Sequence, residues 1–164
     1  MHYKNTGPEI LRDLPDVTHF VAGLGTSGTL MGVGTYLKEH KPDIKILAVE
    51  PPSGESVQGL RSLDDGFIPP VFDKWDGMEI LDGKRIIRPI ESLEYTRILT
   101  KKSGIFCGIS SGAALAGAIR TAETIETGEI VFVVCDGGWK YLSTGAWSGS
   151  LDKVAESIDS IIYF

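Results

Sequence analysis

The sequence predicts an α/β fold built on a mainly parallel, twisted sheet flanked by helices. Two short β-branched runs, residues 17–23 and 44–49, enclose a glycine-rich turn and a helical stretch. A strand–helix–strand unit of this kind implies parallel pairing with a right-handed crossover. Residues 129–135 form an unbroken apolar run, as expected of a central parallel strand covered on both faces.

The first half of the chain contains two predicted strands with a helix between them. Residues 9–14 follow Pro8 and predict a short helix, and residues 17–23 predict a buried strand closed by glycine. Over residues 26–41 apolar side chains recur at helical spacing and a proline follows, which predicts a helix that ends there. Residues 44–49 predict the second buried strand.

The second half begins with irregular structure and continues with helices. Residues 53–63 are compatible with a short helix or a loop, and residues 64–83 are rich in Asp, Gly and Pro, which favours a loop. Residues 85–88 predict a weak strand and residues 92–103 a helix. An alanine-rich stretch, residues 113–125, predicts the next helix.

The chain ends with the apolar strand predicted above and an amphipathic helix over residues 151–158. Its 164 residues suit a single domain with one core. The net charge of −6 disfavours nucleic acid and anionic membranes as partners, because both need clustered Lys and Arg. No apolar run reaches the ~20 residues of a membrane helix, and we expect a cytoplasmic protein.

The two cysteines, Cys107 and Cys135, lie in apolar stretches of sequence. Free Cys is among the most buried residue types, and disulfides are rare in reducing compartments. The sequence therefore predicts two buried free thiols. It suggests no metal site.

A glycine- and hydroxyl-rich turn joins the first predicted strand to the helix that follows. Backbone N–H groups at a helix N-terminus, aided by the helix dipole, favour a phosphate. One candidate is a dinucleotide, because Gly23–Gly28 matches the G-x-G-x-x-G pattern. Glu50 ends the next strand about 20 positions further on, where NAD-binding domains carry an acidic residue. A strand end without any ligand is the alternative for Glu50.

The hydroxyl groups in the turn favour a second candidate, a phosphorylated small cofactor. Thr26, Ser27 and Thr29 stand among the glycines. Each can donate a hydrogen bond to one of the three oxygens of a terminal phosphate. A pyrophosphate at this position needs only backbone N–H groups and gains little from hydroxyl side chains. Capping of the helix by these side chains is the alternative.

Five motifs stand in order along the chain: TGPEI at residues 6–10, VAGLGTSGT at 21–29, AVEP at 48–51, GIFCGISSGA at 104–113 and KYLST at 140–144. In this order they resemble segments of cysteine synthases, which are pyridoxal-phosphate enzymes of the tryptophan synthase β fold. The resemblance favours pyridoxal 5′-phosphate over NAD as the cofactor. It also implies the C-terminal, large-domain part of a fold-type II pyridoxal-phosphate enzyme.

The resemblance assigns cofactor-binding roles to individual residues. It implies a phosphate cup formed by Gly25, Thr26, Ser27, Gly28 and Thr29. Ser110 corresponds to the serine whose hydroxyl bonds the pyridine nitrogen. A neutral hydroxyl leaves that nitrogen unprotonated, which limits electron withdrawal and favours β-elimination. Capping of the following helix by Ser110, or a role shared with Ser111, is the alternative.

Residues 59–67 and 136–145 resemble a branch of the family, the O-phosphoserine sulfhydrylases. In that branch Arg61 corresponds to the arginine that holds the substrate phosphate, and a guanidinium fork suits a phosphate. A surface arginine paired with Asp64 or Asp65 is the alternative. The same branch takes sulfur from a ubiquitin-like carrier protein.

The branch also folds an apolar C-terminal tail over its active site, and residues 161–164 are similar in character. O-acetylserine stays open as the substrate. The resemblance further implies a homodimer for the full-length enzyme.

Members of the family are about twice as long as this chain, and their catalytic lysine lies in the N-terminal half. No lysine of this sequence stands in such a motif, so no catalytic residue is assigned here. We therefore expect this chain to be inactive in cysteine biosynthesis by itself. The alternatives are a non-catalytic module that binds phosphorylated metabolites and an NAD-binding Rossmann domain.

Overall fold

A parallel sheet forms the centre of the computed structural model, which describes residues 1–158. Its strands are β1 (Val17–Gly23), β2 (Lys45–Glu50), β3 (Gly83–Ile86) and β4 (Glu129–Phe132). They lie in the order β3-β2-β1-β4, and each neighbouring pair is parallel. The predicted α/β class and the parallel sheet are confirmed.

Helices cover both faces of this sheet. They are α1 (Thr6–Asp13), α2 (Gly28–His40), α3 (Pro70–Lys74), α4 (Gly77–Ile80), α5 (Pro89–Ser103), α6 (Ile109–Ala122) and α7 (Leu151–Ile158). Short 3₁₀ helices occur at Leu63–Asp65 and Gly138–Thr144. No helix within residues 1–158 combines the length and the apolar character that a membrane span requires.

Alternation along β1 divides the core into two layers. Phe20 and Ala22 belong to the cluster on the α2 side of the sheet, where they pack with Leu30 and Val33. Val21 points to the other face and packs in the cluster that contains α6. Successive side chains of a strand face opposite sides, so a continuous apolar run is what a strand between two helical layers requires.

The strand predicted over residues 129–135 is wrong in its extent and its position. Strand β4 ends at Phe132 and lies at the edge of the sheet, with β1 as its neighbour within residues 1–158. Its four residues are exposed or only partly buried. An apolar run reports that the faces of a strand are covered, and it carries no information about which edges are paired.

Two other predictions also need correction. Residues 64–83, predicted as mostly loop, contain the short helices α3 and α4, and Phe72 of α3 is buried. Helices of four or five residues are too short to show a periodic pattern. Helix α6 begins at Ile109, four positions before the predicted start. The apolar tail at residues 161–164 lies outside the described residues.

Helices α5 and α6 pack closely at Gly112. A Cβ atom at this position would overlap the carbonyl oxygen of Ser92 and the hydroxyl of Thr96, and would lie 2.5 Å from the Thr96 nitrogen. Two of these three atoms belong to the α5 backbone, so a side chain at Gly112 would force the helices apart.

We predict that Gly112→Ala lowers the free energy of unfolding by about 1–3 kcal/mol, the usual cost of overpacking. This loss should exceed the ~1 kcal/mol that alanine gains over glycine in a helix. Urea unfolding measures the change, and Ser103→Ala at the exposed end of α5 is the control. A Gly112→Ala protein as stable as wild type would contradict the close packing.

Candidate functional site

A cavity opens at the carboxyl ends of β1 and β4. Its volume is about 280 Å³. Strand β2, which follows β1 in the chain, pairs with one edge of β1, whereas β4 pairs with the opposite edge of β1. Crevices at such reversals of strand order are the usual ligand sites of parallel sheets. The lining residues are Gly23, Gly25, Thr26, Ser27, Gly28, Thr29, Gln58, Gly59, Leu60, Ser110, Cys135, Asp136 and Tyr141.

The loop between β1 and α2 forms one end of this cavity. Within residues 1–158, the N–H groups of residues 25–29 have no hydrogen-bond acceptor. Ser27 has a φ of 68°, in the left-handed region that non-glycine residues rarely adopt. A left-handed residue beside helical ones turns successive N–H groups toward one point, which creates an anion-binding concavity. The loop therefore has the geometry of a phosphate site.

The hydroxyl group of Ser27 is buried in this loop without a hydrogen-bond partner in the described chain. Ser27 is only 3% exposed and occupies the N-cap position of α2, yet its side chain makes no cap hydrogen bond. The capping alternative for Ser27 is therefore wrong. A buried hydroxyl without a partner is unfavourable, and a ligand in the cavity would relieve that cost.

The glycines of the loop serve different purposes. A Cβ atom at Gly25 would overlap the carbonyl oxygen of Gly59, so Gly25 permits two loops to approach. A Cβ atom at Gly28 would meet only the Thr26 hydroxyl, 4.0 Å away. Protein packing does not require glycine at position 28, and the free space beside it belongs to the cavity.

Thr29 contacts a residue that the sequence analysis did not identify. Its Oγ1 lies 3.2 Å from Nε2 of His2, and Nδ1 of His2 lies 3.0 Å from Oγ1 of Thr6. His2 stands 27 positions before Thr29 in a segment without periodic pattern, so no local signal reveals the contact. Thr26 lines the cavity from an exposed position.

Ser110 lies at the opposite wall of the same cavity. It is 7% exposed and is the second residue of α6, whose N-cap is Gly108. The N-cap alternative for Ser110 is therefore wrong. The neighbouring Ser111 accepts a hydrogen bond from the backbone N–H of Cys135, at 3.0 Å. Ser111 is thus engaged inside the protein, whereas Ser110 lines the cavity.

Asp136 and Tyr141 extend this wall, and the sequence analysis missed both as cavity residues. The Tyr141 hydroxyl donates to Oδ2 of Asp136 at 2.9 Å, and the Lys140 ammonium lies 3.5 Å from the same oxygen. The two residues meet because the 3₁₀ helix Gly138–Thr144 folds back on the end of β4. The four residues between them, 137–140, show no periodic pattern that would reveal this contact.

Both cysteines are free, as predicted, but only Cys107 is buried. Cys135 is exposed and lines the cavity, so the prediction of a buried thiol is wrong there. Strand β4 ends before Cys135, and the chain leaves the core at that point. Desolvation in the cavity wall, together with the Asp136 carboxylate, raises the pKa of the Cys135 thiol. The thiol form therefore predominates at neutral pH.

Arg61 does not line the cavity that contains residues 25–29 and Ser110. It lines a neighbouring hollow of about 110 Å³, and Leu60 is common to both. The guanidinium carbon lies 5.4 Å from the centre of the Phe67 ring. Arg61 forms no ion pair within residues 1–158.

The two acidic neighbours of Arg61 have other partners. Asp64 pairs with Lys84 at 3.0 Å, and Asp65 accepts a hydrogen bond from Ser53 at 2.7 Å. Arg61 is an exposed surface arginine, as the alternative expects, but its expected pairing with Asp64 or Asp65 is wrong.

Glu50, the acidic residue of the dinucleotide pattern, is fully buried. Its Oε1 lies 2.6 Å from the Lys84 ammonium, and its Oε2 accepts a hydrogen bond from the N–H of Leu63 at 3.1 Å. A buried carboxylate whose two oxygens bind protein groups cannot reach a ribose. Glu50 holds the loop after β2 in place.

Residues 1–136 match the family model described as pyridoxal-phosphate dependent enzyme. This chain belongs to that family. It is 37% identical over 147 residues to cysteine synthase B of Pseudomonas aeruginosa and 39% identical over 147 residues to that of Salmonella typhimurium. These matches cover 89% of the chain but only 48% and 47% of the two relatives. The chain spans about half the length of the curated relatives it matches.

Solved structures of two synthases have a similar fold. An O-ureido-L-serine synthase superposes with a TM-score of 0.79 at 34% identity, covering 90% of this chain and 49% of that one. The O-acetylserine dependent cystathionine beta-synthase of Helicobacter pylori gives 0.78 at 36% identity, covering 89% and 49%. The predicted resemblance and cofactor class are confirmed at the level of the family.

We predict effects of different size on stability for two glycines of the loop. Gly25→Ala should lower the free energy of unfolding by about 1–3 kcal/mol, because the new methyl group overlaps the Gly59 carbonyl. Gly28→Ala should change it by less than about 0.5 kcal/mol, because open space surrounds the site. Urea unfolding compares the two, and equal losses would show that the space at Gly28 is not open.

Proposed function

We propose that residues 25–29 bind the phosphate of pyridoxal 5′-phosphate and that the Ser110 hydroxyl faces its pyridine nitrogen. The observation that carries this proposal is that one cavity of about 280 Å³ joins the loop and Ser110. A single small molecule can therefore contact both. Gly25, Thr26, Ser27, Gly28 and Thr29 supply N–H and hydroxyl donors for the phosphate oxygens.

The two ends of the cavity suit the two ends of the cofactor. Helix α2 begins at Gly28 and helix α6 at Ile109, so both N-termini lie at the cavity. The partial positive charge of the α2 N-terminus favours a phosphate dianion. Near α6, a partial positive charge and the neutral Ser110 hydroxyl disfavour protonation of a ring nitrogen. When bound, pyridoxal phosphate supplies an electron sink for the substrate.

This chain is, in our proposal, part of an enzyme that makes cysteine by replacing the β-substituent of an activated serine with sulfur. Its relatives are named cysteine synthases. The proposed assembly of the complete enzyme is a homodimer, and a ubiquitin-like carrier protein is the proposed sulfur donor. The proposal of a carrier protein as the sulfur donor rests only on the resemblance of residues 59–67 and 136–145 to O-phosphoserine sulfhydrylases.

Arg61 supports O-phosphoserine over O-acetylserine as the substrate. Its guanidinium packs on Phe67 beside the cavity and has no carboxylate partner within residues 1–158. An unpaired guanidinium can form two charge-assisted hydrogen bonds with a phosphate ester but not with an acetyl ester. Leu60 separates the two hollows, so the substrate phosphate would have to extend past this side chain.

No lysine is among the residues that line the cavity in the described part of the chain. A lysine amine is the group that links pyridoxal phosphate covalently to its enzymes. We therefore propose that this chain alone binds the cofactor without a covalent bond and is catalytically inactive. The same observation favours the second candidate, a non-catalytic module that binds phosphorylated metabolites.

We predict that the 164-residue chain binds pyridoxal 5′-phosphate more tightly than pyridoxal, because only the former has a phosphate for residues 25–29. Gly28→Ala should abolish this preference while leaving stability unchanged, since its methyl group enters the cavity. Fluorescence titration measures both affinities, with Ser103→Ala as the control. Equal affinities of the wild-type chain for both ligands would refute the proposed phosphate site.

Borohydride reduction tests whether the chain forms a covalent link. After incubation with pyridoxal phosphate, we expect no stoichiometric pyridoxyl-lysine adduct at any one residue, because no lysine lines the cavity within residues 1–158. Peptide mapping by mass spectrometry detects such adducts. A single fully labelled lysine would overturn the proposal that the chain cannot act on its own.

A further inference from the structure

The first residues of the chain pack firmly on helix α2. A Cβ atom at Gly32 would lie 3.0 Å from Cβ of His2 and 3.0 Å from the nitrogen of Tyr3, so glycine permits this close approach. The Tyr3 ring contacts Tyr36 and Trp75 edge-on, with ring centres 5.6 and 5.9 Å apart. These contacts hold the backbone of His2 against α2 at Gly32.

The His2 side chain bridges two threonine hydroxyls. Its Nε2 lies 3.2 Å from Oγ1 of Thr29 in the cavity wall, and its Nδ1 lies 3.0 Å from Oγ1 of Thr6 at the start of α1. Both distances are within hydrogen-bond range. His2 is half-buried and does not itself line the cavity. It can therefore act on a ligand only through Thr29.

The tautomer of His2 decides what Thr29 presents to the cavity. A neutral imidazole has one donor nitrogen and one acceptor nitrogen, and a threonine hydroxyl has one proton. If Nε2 carries the proton, Nε2–H donates to Thr29, and the Thr29 proton stays available to the cavity. If Nε2 is the acceptor instead, the Thr29 hydroxyl donates its only proton to Nε2. The hydroxyl then presents only oxygen lone pairs to a phosphate, and these lone pairs repel the phosphate oxygens.

We propose that His2 is a positioning residue of the phosphate site. The Thr6 hydroxyl donates to Nδ1 and thereby selects the Nε2–H tautomer. Nε2–H donates to the oxygen of Thr29, whose own proton then points to a phosphate oxygen. This inference rests on the proposed function, because it needs a phosphate at residues 25–29, and it adds a residue that never touches the ligand.

The tautomer can be observed directly in the 164-residue chain. Nitrogen-15 NMR of the imidazole ring, at a pH where histidine is neutral, distinguishes the two forms. We expect His2 as the Nε2–H tautomer, reverting toward a mixture in Thr6→Val because the Nδ1 partner is lost. A predominant Nδ1–H tautomer in the wild-type chain would overturn the inference.

A double-mutant cycle tests the coupling between His2 and Thr29. Inorganic phosphate is the probe, and its affinity is read from the amide shifts of residues 25–29. His2→Ala should weaken phosphate binding about fivefold, the effect of one lost neutral hydrogen bond. In a Thr29→Val background His2→Ala should have no further effect. His40→Ala, at the exposed end of α2, is the control and should bind phosphate normally.

The outcomes separate this inference from the proposed function. Equal losses from His2→Ala with and without the Thr29 hydroxyl would show that His2 acts only through the fold, and would overturn the inference alone. The glutamine amide of His2→Gln can donate to Thr29 and accept from Thr6. A phosphate affinity of this variant between those of His2→Ala and wild type would support the hydrogen-bond chain from Thr6 through His2 to Thr29. Wild-type amides that do not respond to phosphate would refute the phosphate site itself.

Discussion

Parallel pairing of β1 with both of its neighbours is the constraint on which the site depends. Because β1 and β4 run in the same direction, the turns that follow them lie at the same edge of the sheet. Helix α2 leaves this edge on one face, and α6 begins near it on the other. Two helix N-termini therefore converge on one cavity, and their N–H donors and partial positive charge suit an anion there.

The polar groups around this cavity fall into two kinds. Glu50 and Ser111 find protein partners, Lys84 and the Cys135 N–H, and they hold loops in place. The Ser27 hydroxyl and the N–H groups of residues 25–29 find none within the described chain. Buried polar groups without partners are uncommon in folded proteins. The buried Ser27 hydroxyl and the unpaired N–H groups of the same loop together are the physical argument for a ligand there.

Sequence pattern alone left important choices open at this site. The G-x-G-x-x-G pattern suited a dinucleotide as well as a cofactor phosphate, and Glu50 stood at a plausible ribose position. Adjacent Ser110 and Ser111 were equivalent in the sequence, yet a shift of one residue along a helix turns the side chain by about 100°. Tertiary contacts bear on both choices: Glu50 is buried against Lys84, and Ser111 accepts a hydrogen bond from the Cys135 N–H, and both contacts join segments distant in sequence.

The sequence by itself determined the α/β class, three of the four strands close to their observed bounds, and the loop with its hydroxyl groups. These features depend on short-range periodicity and turn chemistry, and both can be recognised from residues that are close together in the sequence. Only the tertiary structure decided that β4 lies at an edge, that Asp136 and Tyr141 line the cavity, and that Arg61 lies outside it. It also brought His2 to Thr29. Contacts between distant segments arise from packing, and no local pattern encodes them.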